Sequence, residues 1–378
     1  MSVTVIVEPD PGGHRFQAVA NVAQVAGQTD DIVLLTSKGA AANEAYGVYL
    51  ADVPLEVDER FDDIYPPTRE LVRVIAELCR TKPVATVVVM DADQSLKRWW
   101  YLAPREFRGL ARRPRVVFML TRYPAKLALS DHVGWKLRIP KATLAVAAMA
   151  SGSLHRVAGF AGREDMTRGW IVKRARDPEI CTAHSRDRSE LRTELKLPLD
   201  RRIVGIFGVI SERKNAPLIL ESLHAGGLDA DLLLAGSVAP EVWAWIDGLS
   251  ESDRKRVIVH DGFLSNTLLD QLVAAVDAVP IALTNNGPSG IMGKALAAGV
   301  PVVSAGSEVR ARELRATDAG AEAEFTAASI GAALGRVLAR DPAEPRHNTV
   351  PPATAEAFAA TLLGTDENGV LLRHSRRR

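Results

Sequence analysis

Short runs of consecutive apolar residues, each followed by a turn and a helix-like segment, set the narrowest limit on how this sequence can fold. Residues 3–7, 32–36, 85–90 and 115–120 are strand-length and rich in Val, Ile and Leu, yet they show no polar–apolar alternation. A strand that is apolar on both faces needs cover on both faces, which a parallel sheet flanked by helices supplies. Between these runs Phe16, Val19, Ala20, Val22, Ala23 and Val25 recur at helical spacing, and residues 68–80 read as a second helix. An α/β chain with a doubly wound parallel sheet is expected. Residues 142–150 read as strand or buried helix, and 169–172 as a further short strand.

At 378 residues the chain exceeds the roughly 250–300 at which one core usually divides, so two domains are expected. The stretch 177–202, with Pro178 and HSRDRSELR, reads as an exposed connector carrying one short charged helix. After it the same grammar restarts, with strands at 202–207, 231–235, 257–260, 278–283 and 300–304. The expected layout is a Rossmann-like domain over 1–178, a linker over 179–200, a second Rossmann-like domain over 201–342, and a tail over 343–378 with a helix at 354–363.

Charge and cysteine content exclude several functions. Forty-seven Lys plus Arg nearly balance 46 Asp plus Glu, leaving no global field to attract nucleic acid, so any anion site is local. No run of 18 apolar residues and no basic leader is present, which points to a cytoplasmic protein. Cys79 and Cys181 lie far apart with no CxxC, against a disulfide framework or structural zinc.

The stretch 285–304, NNGPSGIMGKALAAGVPVVS, reads as a glycine–proline loop, a short helix from about residue 291 to 298, and a buried strand. Gly287, Pro288, Ser289 and Gly290 leave backbone N–H groups at the helix start, where they and the helix dipole favour a phosphate. Lys294, one turn inside, adds a charge. A charge-assisted hydrogen bond is worth about 1.5–3 kcal/mol against about 0.3–1 for the dipole, so Lys294 dominates if it points at the ligand. The competing reading is an ordinary capped helix stopped by Gly299.

In the first half, Gly12 and Gly13 stand between a strand and a helix and permit close approach by a ligand's phosphate or sugar. The adjacent His14 is a candidate base for a substrate hydroxyl, its ordinary pKa lying near neutrality. The strand at 85–90 runs into Asp91-Ala92-Asp93, where either carboxylate is placed to activate a hydroxyl or to cap the next helix. The segment from Lys97 to Arg115, KRWWYLAPREFRGLARRPR, invites peripheral contact with an anionic membrane or a lipid-linked acceptor. The preferred reading there is a helix with its Trp residues in the core and its arginines in water.

Three stretches of the second half, GIFGVISERKNAPLILESL, LLLAGS and PSGIMGKALAAGVPVV, together with SELRTELKLP before them, resemble nucleotide-sugar glycosyltransferases of the GT-B fold, closest to family 4. The resemblance covers about residues 188–338. It implies two facing Rossmann-like domains with a cleft, a tail helix crossing back, and a nucleoside diphosphate sugar as donor substrate with no further cofactor and no metal. Lys214 matches a lysine that holds the donor diphosphate, Gly236 and Ser237 a turn beside the donor, and Phe263 a segment by the base. Asn286 and Lys294 stand where retaining members carry glutamates, and Val209 where an arginine is usual, with Arg213 nearby as its substitute. Arg122 is the nearest candidate to a first-domain histidine. The function implied is glycosyl transfer to a hydroxyl acceptor. A non-catalytic nucleotide- or glycan-binding relative and a nucleotide-sugar epimerase stand as alternatives.

Overall fold

Val3–Val7 (β1) is the strand about which the first sheet is laid out. In the computed structural model, which describes residues 2–12, 15–123, 132–285, 289–340, 347–366 and 370–371, β1 lies between Asp31–Ser37 (β2) and Val84–Val89 (β4), parallel to both. Glu56–Phe61 (β3), Arg115–Leu120 (β5), Arg156–Ala161 (β6) and Lys173–Arg176 (β7) complete a parallel sheet of order β3-β2-β1-β4-β5-β6-β7. The absence of alternation has the expected cause. Val3, Val5 and Val7 face one apolar layer and Ile6 the other, each layer being built with helices such as Thr68–Thr81 and Arg15–Ala26.

The strands without an apolar run are the outer ones. In β3, EVDERF, only Phe61 is buried, because an edge strand keeps most of its side chains in contact with water. Residues 142–150 belong to the helix His132–Ala150, and the strand expected at 169–172 forms a few residues later as β7.

The chain divides into two units, Met1–Asp177 with Ala353–Arg378, and Pro178–Pro352. In the second, Arg202–Phe207 (β8), Ala230–Gly236 (β9) and Val257–Asp261 (β10) pair in the order β10-β9-β8. Val279–Ala282 (β11), Val302–Ala305 (β12) and Gly320–Ala323 (β13) form a second parallel trio. A parallel bridge between Val204 and Ala278, with Gly205 N–H donating to the Ala278 carbonyl at 3.0 Å, joins the trios. Both units therefore run 3-2-1-4-5-6 in strand order, with β7 added in the first. The order reverses between β1 and β4 and between β8 and β11, which are the topological switch points.

Two segments differ from expectation in their packing. Residues 178–200 are not an exposed connector, since Cys181, Ala183, Leu191 and Leu197 enter the core of the second unit. Within it the helix Arg188–Glu194 is fastened by Arg192, whose guanidinium donates to Asp277 at 2.6 Å and to the Ala275 carbonyl at 2.8 Å. The tail helix Ala355–Leu363 crosses back and packs on the first unit, Phe358 stacking on Phe160 with centroids 5.6 Å apart. Its last turn is held by Arg156 donating to the Thr361 carbonyl and Arg115 to that of Leu363, cations placed where the helix dipole is negative.

Candidate functional site

The switch point of the second unit collects cations. A turn, Ser211–Asn215, follows β8, and Asn215, in the left-handed region at φ 53°, ties it down by donating to the Ala282 carbonyl at 2.9 Å. That bond sets Lys214 over the end of β11, where it lines a small crevice with Phe207, Ala282, Leu283, Ser289 and Ile291. The Lys214 ammonium makes no ion pair or hydrogen bond among the described residues. Burial, then Arg213 and Arg310, push its pKa down, the signature of a cation without an anion. Ser289 caps the helix Gly290–Ala297, its hydroxyl accepting from Met292 N–H at 3.4 Å. The amides of Gly290 and Ile291 precede the first intrahelical bonds and supply donors beside Lys214.

Arg310, unremarkable in the sequence, positions this crevice. Fully buried, it donates to Ser304 Oγ at 3.0 Å and to the Asn285 carbonyl at 3.0 Å, and also to the Leu283 carbonyl. It thereby pins the chain leaving β11. Nothing in EVRARELRAT separates it from its neighbours Arg312 and Arg315.

Lys294 requires a correction. Its ammonium is buried and paired with Asp270, which also accepts from Thr182 N–H at 2.8 Å and Thr182 Oγ1 at 2.9 Å. It fastens the segment after residue 178 to the core and is not the charge of the phosphate loop. The signal was present: residues 292–296 are buried, so a lysine in so apolar a helix must be buried and paired. Asn286, Gly287 and Pro288 lie outside the described residues.

At the other strand ends, Gly236 has φ 131°, and a Cβ there would lie 1.9 Å from the Gly208 carbonyl oxygen, so the β8 and β9 ends can cross only at a glycine. Ser237 is exposed, its carbonyl accepting from Ile210 N–H at 2.9 Å. Arg213 is exposed beside Lys214. Phe263, 81% exposed just beyond β10, is not a core residue, and Val209 is exposed beyond β8.

The switch point of the first unit collects carboxylates. Glu8 directly follows β1 and is 2% exposed. Its Oε1 accepts from Asp10 N–H at 3.1 Å and from Arg15 at 3.4 Å. Arg15 also meets Asp91 at 2.9 Å and Asp10 at 3.1 Å, so one guanidinium serves three carboxylates. Burial, partly countered by Arg15, pushes the Glu8 carboxyl up to about 8, with Asp91 and Asp10 raising it further. Glu8 and Asp91 line a second small crevice with Arg15, Tyr65, Gln94 and Ser95. Sequence reading missed Glu8, because only the strand order shows that β1 is central.

Asp93 is corrected as a candidate base. Its Oδ2 accepts from Thr121 N–H at 2.7 Å, Thr121 Oγ1 at 3.0 Å and Arg122 N–H at 3.1 Å, while Oδ1 pairs with Lys141. A carboxylate so filled holds the end of β5. The Arg122 side chain points to solvent. Gly12 closes a turn by donating to Asp10 at 2.8 Å, whereas Gly13 and His14 lie outside the described residues. In the helix Leu96–Glu106, Trp99 is a core residue whose indole donates to the Ser153 carbonyl at 3.0 Å, and Trp100 is exposed. Among the described residues no group of His, Cys, Asp and Glu is placed to hold a metal, and no helix is long and apolar enough to cross a membrane.

No family model and no curated protein matches the chain by sequence. Solved structures do. Anabaena Alr3699/HepE in complex with UDP-glucose is similar at 16% identity and TM-score 0.58, over 96% of this chain and 99% of that one. A glycosyltransferase from Rickettsia africae is similar at 12% identity and TM-score 0.61, over 97% and 94%. WaaG, a glycosyltransferase involved in lipopolysaccharide biosynthesis, is similar at 14% identity and TM-score 0.54, over 98% and 97%. With two parallel sheets of Rossmann-like order and end-to-end agreement with these structures, the chain has the GT-B glycosyltransferase fold.

Proposed function

We propose that this protein transfers a glycosyl group from a nucleoside diphosphate sugar to a hydroxyl acceptor, without a metal. The observation that carries this reading is Lys214, a half-buried cation with no partner among the described residues, in one crevice with the start of the helix Gly290–Ala297. Lys214, Arg213 and the Gly290 and Ile291 amides receive the diphosphate. As the bond to the sugar breaks, negative charge grows on the leaving oxygen, and fixed donors stabilise that charge more than the ground state. Gly236 and Ser237 bring backbone close to the donor, and the exposed Phe263 offers a face to its base. The UDP and UDP-glucose in the HepE complexes support a donor of this class.

The test is to incubate purified protein with a panel of nucleotide sugars and hydroxyl acceptors and to measure nucleoside diphosphate release, alongside thermal shifts with the diphosphates alone. Acceptor-dependent release is expected. No release and no shift with any donor would sink the reading. A shift abolished by Lys214→Ala but no release would favour a non-catalytic binding protein. Peripheral contact with anionic lipid is proposed for the face where Trp100 is flanked by exposed Lys97, Arg98 and Arg105; absence of pelleting with anionic vesicles would remove it.

A further inference from the structure

The end of β11 differs from an ordinary strand end in having its acceptors already taken. Where a parallel strand stops, its last carbonyls are open to donors, and a half-buried ammonium beside them is expected to use one. Here three of those oxygens are engaged by side chains. The Ala282 carbonyl accepts from Asn215 Nδ2 at 2.9 Å, that of Asn285 from Arg310 at 3.0 Å, and that of Leu283 from Arg310 as well. Ala282 and Leu283 line the same crevice as Lys214, whose ammonium has no partner among the described residues. Neither engaging side chain comes from β11. Asn215 belongs to the turn after β8, and the buried Arg310 to the helix Glu308–Thr317, where its Nε is spent on Ser304 Oγ at 3.0 Å.

We propose that Asn215 and Arg310 are positioning residues for the donor diphosphate: by occupying the carbonyls at the end of β11 they keep the Lys214 ammonium unpaired, so that it meets an anion without first breaking an internal bond. This rests on the glycosyl-transfer reading above. Both residues act through Lys214. Among the described residues the charges acting on Lys214 are Arg213, from its own turn, and Arg310, while the helix Gly290–Ala297 brings none because its Lys294 is turned to Asp270. Like charges on either hand and engaged carbonyls leave an anion as the favourable partner.

The test follows the Lys214 amine by NMR titration of ligand-free protein whose lysines carry ¹³C-methyl groups, its resonance assigned by its absence from Lys214→Arg, beside the pH dependence of UDP binding by calorimetry. In wild type the ammonium titrates below the ordinary lysine range, and affinity for UDP falls as pH rises through that point. Arg310→Met removes a charge and frees the Leu283 and Asn285 carbonyls to accept from Lys214. It is expected to raise the titration point of Lys214, to move the falling limb to higher pH, and to weaken UDP binding about tenfold at neutral pH. Arg310→Lys, which restores a cation and a hydrogen-bond donor, is expected to bring both readings back toward wild type. Asn215→Gly tolerates the φ of 53° and removes only the side-chain amide, so a smaller shift in the same direction is expected even where Arg310→Met does not fold. A titration point unmoved in either variant would overturn the role of that residue even if affinity fell, since loosened structure weakens binding without moving the amine. The amine is read without ligand, so this outcome is separate from failure of the glycosyl-transfer reading, which is signalled by wild type that binds no nucleoside diphosphate and releases none.

Discussion

The two switch points share one backbone plan and carry opposite charge. Between β8 and β11 stand Lys214, Arg213 and Arg310, with Lys214 lacking an anion among the described residues. Between β1 and β4 stand Glu8, Asp10 and Asp91, sharing Arg15. In both, the strand ends leave a crevice because neighbouring connections depart to opposite faces of the sheet. The fold therefore supplies the place, and the residues just beyond the strands decide what it holds. One crevice presents cations to whatever enters it and the other presents carboxyl groups.

The sharpest way to break this comparison is to exchange the roles of the two lysines near the cationic crevice. Lys294→Met leaves the buried Asp270 without its cation and should cost about 3–5 kcal/mol of stability, read as a lower Tm or denaturant midpoint, while the folded protein keeps its affinity for nucleoside diphosphate. Lys214→Ala should do the reverse. Loss of a charge-assisted bond of about 1.5–3 kcal/mol weakens diphosphate binding roughly 10- to 100-fold by calorimetry with Tm unchanged. Equal effects of the two variants on affinity would return Lys294 to the binding site.

The acidic crevice is probed by stability against pH. The folded Glu8 carboxyl titrates near 8 and the unfolded one near 4.5, so the folded state holds more protons between these values. Stability then falls as pH rises through this window. Glu8→Gln should flatten that fall and be the more stable protein above pH 8; an unchanged slope would show that Glu8 ionises freely. The smallest effect on stability is expected from Phe263→Ala. At 81% exposure its loss should change stability by no more than about 0.5 kcal/mol. Its removal should nevertheless weaken nucleoside diphosphate binding by about 1 kcal/mol or more through lost stacking, and an unchanged affinity would place the base elsewhere.

Much of the fold was legible because burial writes itself into apolar runs. The runs at 3–7, 85–90 and 202–207 became β1, β4 and β8, each within a residue or two of its expected bounds. Where a strand lies at an edge, as in β3, that imprint is missing. The site was read less evenly. The SERKN turn pointed to Lys214 through its resemblance, but Lys294, in the neighbouring motif, faces the core and Asp270. Asp93, equal to Asp91 in the sequence, is filled by Thr121, Arg122 and Lys141, whereas Asp91 joins Glu8.

The sequence by itself determined the apolar runs that became the strands of the doubly wound sheets and, through its resemblance, pointed to the lysine turn after β8. These follow from local pattern, which the chain carries residue by residue. Tertiary structure alone decided which charges meet. Glu8 and Asp91 lie 83 positions apart and Lys214 and Arg310 lie 96 apart, so their proximity exists only once β1 sits beside β4 and β8 beside β11. A side chain's charge is written in the sequence, but the partner and burial that give it a pKa, and hence a function, come from the pairing of distant strands.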